Sequence, residues 1–170
     1  YLCQLAEIFN GISVNTPSLS AIIAIILAGL LLLAPGFASA SEIAFFSLSP
    51  SDLNDIEEGN HPSDGKISNL LADSERLLAT ILITNNFVNV TIIMLCNFFF
   101  MNVFVFHSPL AEFLILTVIL TFLLLLFGEI MPKIYSAQKT LAFCRFSAPV
   151  IYVLRKVFAP ISAVLVHSTA

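Results

Sequence analysis

Apolar residues fall along this chain in three long, nearly unbroken runs, at about residues 19–46, 77–106 and 110–130, with more polar sequence between the first two. A helix needs roughly 20 apolar residues to cross a bilayer, and none of the three runs contains Lys or Arg. The pattern predicts an all-α membrane protein with three transmembrane helices. Between the first two runs, residues 49–76 change character. Ser49 followed by Pro50 predicts a helix start and Gly59 its end, with Leu53 and Ile56 as a minimal apolar face. A second short helix is predicted from near Ser63, carrying Ile67, Leu70 and Leu71. After the third run, residues 136–170 are apolar again, but Pro149 and Pro160 interrupt them and Arg145, Arg155 and Lys156 charge them. That mixture predicts a juxtamembrane helix in the interface, kinked or interrupted at the prolines, with its cations at the headgroups. A fourth span is the rival, and it would place Arg155 and Lys156 near its middle at roughly 2.5–3.5 kcal/mol each.

Composition agrees with this reading: 58% of residues are apolar, 11% are charged and the mean hydropathy is +0.98, beyond what a soluble core requires. The net charge of −4 adds little, but the placement of the cations decides the topology. Lys66 and Arg76 lie between the first two runs, and Lys133, Lys139, Arg145, Arg155 and Lys156 all follow the third. With three crossings these regions share a side, and the positive-inside rule makes it cytoplasmic. The expected organisation is an extracytoplasmic segment over 1–18, a three-span domain over 19–135 with an acidic cytoplasmic connector over 49–76, and the juxtamembrane helix over 136–170. The turn from His107 to Leu110 is expected outside. A cleaved signal peptide is rejected, because no basic stretch precedes the first run and it leads into Ser39, Ser41 and Glu42. Cys3, Cys96 and Cys144 are scattered, without CxxC spacing, and are expected to be packing residues. No phosphate loop, nucleophile constellation or nucleic-acid surface is present, so neither an enzyme nor a nucleic-acid partner is expected.

Polar groups inside the runs carry the chemistry. Glu42 lies in PGFASASEIAFFSL and Glu129 in LLLLFGEIMPK, and an intramembrane carboxylate costs several kcal/mol unless it meets a cation. Asn85 and Asn89, four apart, project from one face of the second run, with Thr80 and Thr84 nearby. Amide carbonyls, hydroxyls and a carboxylate form an oxygen set suited to a hard cation such as magnesium, which takes about six oxygens near 2.0–2.1 Å. Pro35-Gly36 and Gly128 with Pro132 are expected to break the helical ladder and free backbone carbonyls for the same purpose. No His or Cys joins the set, which argues against zinc or copper. Plainer readings exist for each residue. The Asn and Ser side chains can simply bond a neighbouring helix, Glu129 can pair with Lys133 four residues on, and Glu42 can snorkel to the nearby boundary.

Three motifs, SASEIAFFSLSPSDLNDIE, ERLLATILITNNFVN and FGEIMPKIYS, resemble in order and spacing the transmembrane domain of the CorC/CorB and cyclin-M (CNNM) family of magnesium transporters. The aromatic-rich SEIAFFSLSPSDL opening resembles its gliding-associated bacterial branch. The resemblance implies a homodimer in a bacterial inner membrane, with a cytoplasmic helix-turn after the first span and a juxtamembrane helix after the third. It also implies a nucleotide-binding CBS pair following in the full-length protein, so the chain is expected to be the membrane domain of a longer one. Carried over by motif position, a dehydrated Mg2+ would be held by Ser41, Asn85, Asn89, Gly128 and Glu129, with Ser39, Glu42, Thr84 and Lys133 as further candidates. Relatives often carry Gly where Thr84 stands, which adds a hydroxyl here. The alternative is a non-transporting membrane scaffold or magnesium-sensing anchor for cytoplasmic domains. An intramembrane protease using Glu42 and Glu129 ranks last, since nothing in the sequence holds the two carboxylates together.

Overall fold

The computed structural model describes residues 12–106 and 108–169. Cys3, most of the expected N-terminal segment and His107 lie outside them. Among the described residues three helices are long and apolar enough to cross a membrane, Leu19–Phe46, Ser74–Val103 and Pro109–Gln138, here called spans one to three. Span one starts where expected, with the Ser18 side chain accepting a hydrogen bond from the Ala21 N–H at 3.2 Å. Span two starts three residues before the expected Leu77, because Asp73 caps it by accepting from the Arg76 N–H. It also ends three residues early, at Val103. Phe104–Phe106 leaves the helix as an extended strand and pairs antiparallel with Ile12–Val14, Ile12 opposite Phe106. Ile12 and Val14 on one side and Phe104, Val105 and Phe106 on the other, all β-branched or aromatic, suit that short ladder better than another helical turn. Span three runs to Gln138, eight residues past the expected 130.

The connector folds as its turn residues dictate. Pro50–Glu57 is opened by a capping box in which Ser49 and Asp52 each accept the other's backbone N–H, and it closes at Gly59, whose φ of 69° is the left-handed value glycine tolerates. Asp64–Leu71 is the second short helix. After span three come an amphipathic helix, Thr140–Val157, and a last helix, Ala159–Thr169. Pro149 lies inside the first of these without ending it; the break falls at Phe158, just before Pro160. The two helices are bent by 74° at this break and so do not form one straight fourth crossing.

Two apolar clusters organise the bundle. Ala28, Ile92, Cys96 and Leu120 join the three spans toward the strand end. At the other end Phe45, Ile56, Ile67, Leu70, Leu77, Ile81, Cys144 and Ile151 join the end of span one, the connector, the start of span two and the amphipathic helix. Cys96 and Cys144 are buried and free, as packing residues should be, and burial pushes the Cys144 thiol up to about 12. Ile23, Ile26, Leu30, Phe87, Met94, Phe113, Val118 and Phe122 point outward, the arrangement of a protein solvated by lipid.

Two cations of the amphipathic helix also have acceptors within the protein. Arg145 forks onto Asp64, Nε to Oδ1 at 2.9 Å and Nη2 to Oδ2 at 3.2 Å, and the His61 N–H adds a third bond to that carboxylate at 2.9 Å. Arg155 donates to the Asn69 carbonyl at 3.1 Å. The connector folds back over the amphipathic helix and offers these side chains fixed oxygen acceptors, and at Arg145 the pair is bidentate.

Candidate metal centre between the spans

Small residues allow the lower half of span one to sit close to its neighbours. Ala38, Ser39, Ala40, Ser41 and Ala44 are all buried, on a stretch that packs against both span two and the end of span three. The Ser41 hydroxyl donates to the Phe37 carbonyl at 2.7 Å. In span two Thr80 donates to the Arg76 carbonyl and Thr84 to the Thr80 carbonyl, each at 2.8 Å. A hydroxyl that gives its proton to a carbonyl one turn back keeps its oxygen lone pairs for another partner.

One turn further along span two, the plain reading of the Asn pair fails. The Oδ1 atoms of Asn85 and Asn89 are buried and accept no hydrogen bond, and they are the only side-chain polar atoms among the described residues left so. A buried acceptor without a donor costs about 1–3 kcal/mol, so two of them on one helical face call for a ligand.

Span three supplies irregular backbone. Leu124–Ile130 is a π-helical turn, a widening that recurs at functional sites, and Gly128 is buried within it. Pro132 has no N–H to offer the Gly128 carbonyl four residues back, and Pro35 has none for that of Leu31. The regular ladder is interrupted locally in both spans, as the sequence leads one to expect, at a turn at Leu32 in span one and at the π segment in span three, yet both spans continue as membrane-crossing helices. Mutual support explains the continuity. A Cβ on Gly36 would meet Pro132 Cγ at 3.1 Å, and one on Gly128 would meet Pro35 Cγ at 3.7 Å, so each glycine receives the other span's proline ring. Ser136, fully buried, donates across the same seam to the Ala40 carbonyl. Sequence reasoning missed Ser136; a lone serine six residues past a predicted span end carries no signal of its own.

The two acids take different roles. Lys133 does not pair with Glu129 in its own helix; its Nζ lies 3.4 Å from Glu42 of span one, an ion pair about one-third exposed on each side. The π turn widens the helix where Glu129 sits, so the i,i+4 alignment of a regular helix is lost. Glu129 is left half-buried with no ion-pair partner among the described residues. The Asn pair and the Gly128-Glu129 turn thus lie on segments that both pack against span one, which carries Ser41. No group of three His, Cys, Asp or Glu gathers among the described residues, so any cation held here would meet mainly amide, hydroxyl and backbone oxygens with a single free carboxylate. Glu112 lies elsewhere, with Asn97, Thr117 and Thr121 in an open cleft between spans two and three at the strand end.

Residues 25–170 match the family described as cyclin M transmembrane N-terminal domain. A curated relative, the UPF0053 protein of Haemophilus influenzae, is 32% identical over 123 residues, which cover 72% of this chain and 28% of the relative. The chain therefore spans little more than a quarter of that relative's length. A three-span helical bundle and a family match over most of its residues together place the chain in the cyclin M (CNNM) transmembrane family, a membrane family generally associated with divalent cation transport.

Proposed function

We propose that this domain binds and translocates a dehydrated divalent cation, magnesium by preference, between its spans. The two partnerless amide oxygens of Asn85 and Asn89 carry this assignment: they are acceptors already stripped of water and donors, and a cation is what such atoms lack. Glu129 contributes the charge, Ser41 and Thr84 contribute hydroxyl oxygens whose protons are already given away, and the Gly128 carbonyl, which Pro132 cannot hydrogen-bond, contributes a backbone ligand. Ser39 is buried on the same helix as Ser41, two residues before it. Glu42 and Lys133 neutralise one another and hold span one against span three rather than binding the ion. An oxygen set with one carboxylate favours a hard cation over zinc or copper.

Lys66, Arg76 and the five cations after Glu129 all belong to the connector end of the bundle, and the positive-inside rule reads that end as cytoplasmic. A homodimer in the inner membrane, coupled to a CBS pair in the longer protein, is the assembly that the family suggests. The test is thermal unfolding in detergent against increasing magnesium, for the unchanged protein and Glu129→Gln. A ligand that binds only the folded state raises its stability as its concentration rises, so a magnesium-dependent rise absent from the variant supports the assignment. A flat response in both proteins would put the non-transporting scaffold ahead.

A further inference from the structure

Three of the seven Lys and Arg residues of this acidic chain converge on one small pocket away from the spans' polar centre. Arg76, Arg155 and Lys156 line a cavity of about 180 Å3, with Asn69, Tyr152 and Ser162 completing its polar wall. The local acid does not balance them. Asp73 is shared by two guanidiniums, at 3.4 Å from Arg76 and 3.8 Å from Arg155, both longer than the 2.7–2.9 Å of a saturated charge-assisted bond. Lys156 Nζ lies over the face of Tyr152, 4.9 Å from the ring centroid, and forms no ion pair among the described residues. Ala159, the first residue of the last helix, also lies in the wall, so the positive end of that helix faces the same space.

Depth identifies the ligand class. Arg76 is the third residue of span two, so the pocket opens at the level where a membrane-spanning helix begins. Guanidinium forks match phosphate oxygens, and basic pockets between helices at this level accept anionic headgroups. We propose that this pocket binds the phosphate of an anionic phospholipid, which bridges the start of span two to the junction of the amphipathic and last helices. The site is independent of the cation-binding reading and would stand if that reading failed.

The experiment compares the purified protein in nanodiscs of phosphatidylcholine alone and with added phosphatidylglycerol, reading Tm, and repeats it for Lys156→Gln and for Arg76→Gln with Lys156→Gln. Arg155 is left intact because it also holds the connector. The expected result is a rise in Tm with phosphatidylglycerol that shrinks in the single variant, vanishes in the double variant and weakens with salt. Equal Tm in both lipids, or a rise unchanged in the variants, overturns the proposal. An equal rise in Tm from inorganic phosphate in phosphatidylcholine discs overturns it too, by assigning the pocket to a soluble anion. If the double variant does not fold, native mass spectrometry of the unchanged protein and Lys156→Gln decides, with retained phosphatidylglycerol expected on the former and reduced on the latter.

Discussion

The molecule buries polar groups in two opposite ways. Beneath the spans, Asp64 is buried with its carboxylate filled by three donors from Arg145 and His61. Between the spans, the Oδ1 atoms of the half-buried Asn85 and Asn89 are sealed from solvent with no donor. The first arrangement fixes one geometry, joining the connector to the amphipathic helix. The second leaves a deficit that only something from outside the chain can fill. Satisfied burial marks the frame, and unsatisfied burial marks the place where the frame is used.

The largest effect should come from breaking the satisfied side. Arg145→Ala strands a carboxylate that has no exposure, and chemical denaturation should record a loss of roughly 3–5 kcal/mol. Asp64→Asn should cost less, because Arg145 is partly exposed and can turn to water. The same pair sets an acid limit. Arg145, against the opposing effect of burial, holds the Asp64 carboxyl below its ordinary range, with the His61 N–H helping. A carboxyl lowered on folding stabilises the fold fully above its unfolded value and loses that contribution as pH falls through the folded one. Stability against pH should therefore fall less steeply below about pH 4 in Asp64→Asn than in the unchanged protein.

Changing the unsatisfied side should go the other way. Replacing Asn85 and Asn89 together by Leu removes two orphaned acceptors and should raise stability without magnesium by about 1–3 kcal/mol, while abolishing any magnesium-dependent rise in Tm. A loss of stability in that variant would mean the amides are structural. The glycines sharpen the contrast on a smaller scale. Gly36→Ala drives a methyl to 3.1 Å from the Pro132 ring and should cost about 1 kcal/mol by melting in detergent. Gly29→Ala meets nothing within 4 Å and should add about 0.5–1 kcal/mol by helix propensity alone.

The frame was largely legible in the sequence because its signals are local. Apolar run length gave the spans, Ser49-Pro50 and Gly59 bounded the first connector helix, and Ile67 and Leu70 were named as its partner's apolar residues and proved buried. Boundaries failed where a distant partner decided them, as when the 12–14 strand took Phe104–Phe106 from span two. The same limit applies to the pairing of charges. Lys133 chose Glu42, ninety-one positions away, over Glu129 at four, and Arg145 chose Asp64; periodicity within one helix contains neither choice. Of the polar centre, the sequence supplied the residue types and the Asn spacing. It could not supply the emptiness of the two amide oxygens, which is a property of everything that surrounds them.

The exchange of proline rings and glycines between spans one and three has a mechanical consequence. Because each span carries both a protrusion and a recess, sliding either helix along its axis would ram one ring into backbone while unseating the other. Tilting about the contact disturbs both seats far less. The seam is thus a pin joint, stiff to axial shear and compliant to rocking, and it sets the direction in which the two halves of the bundle can part.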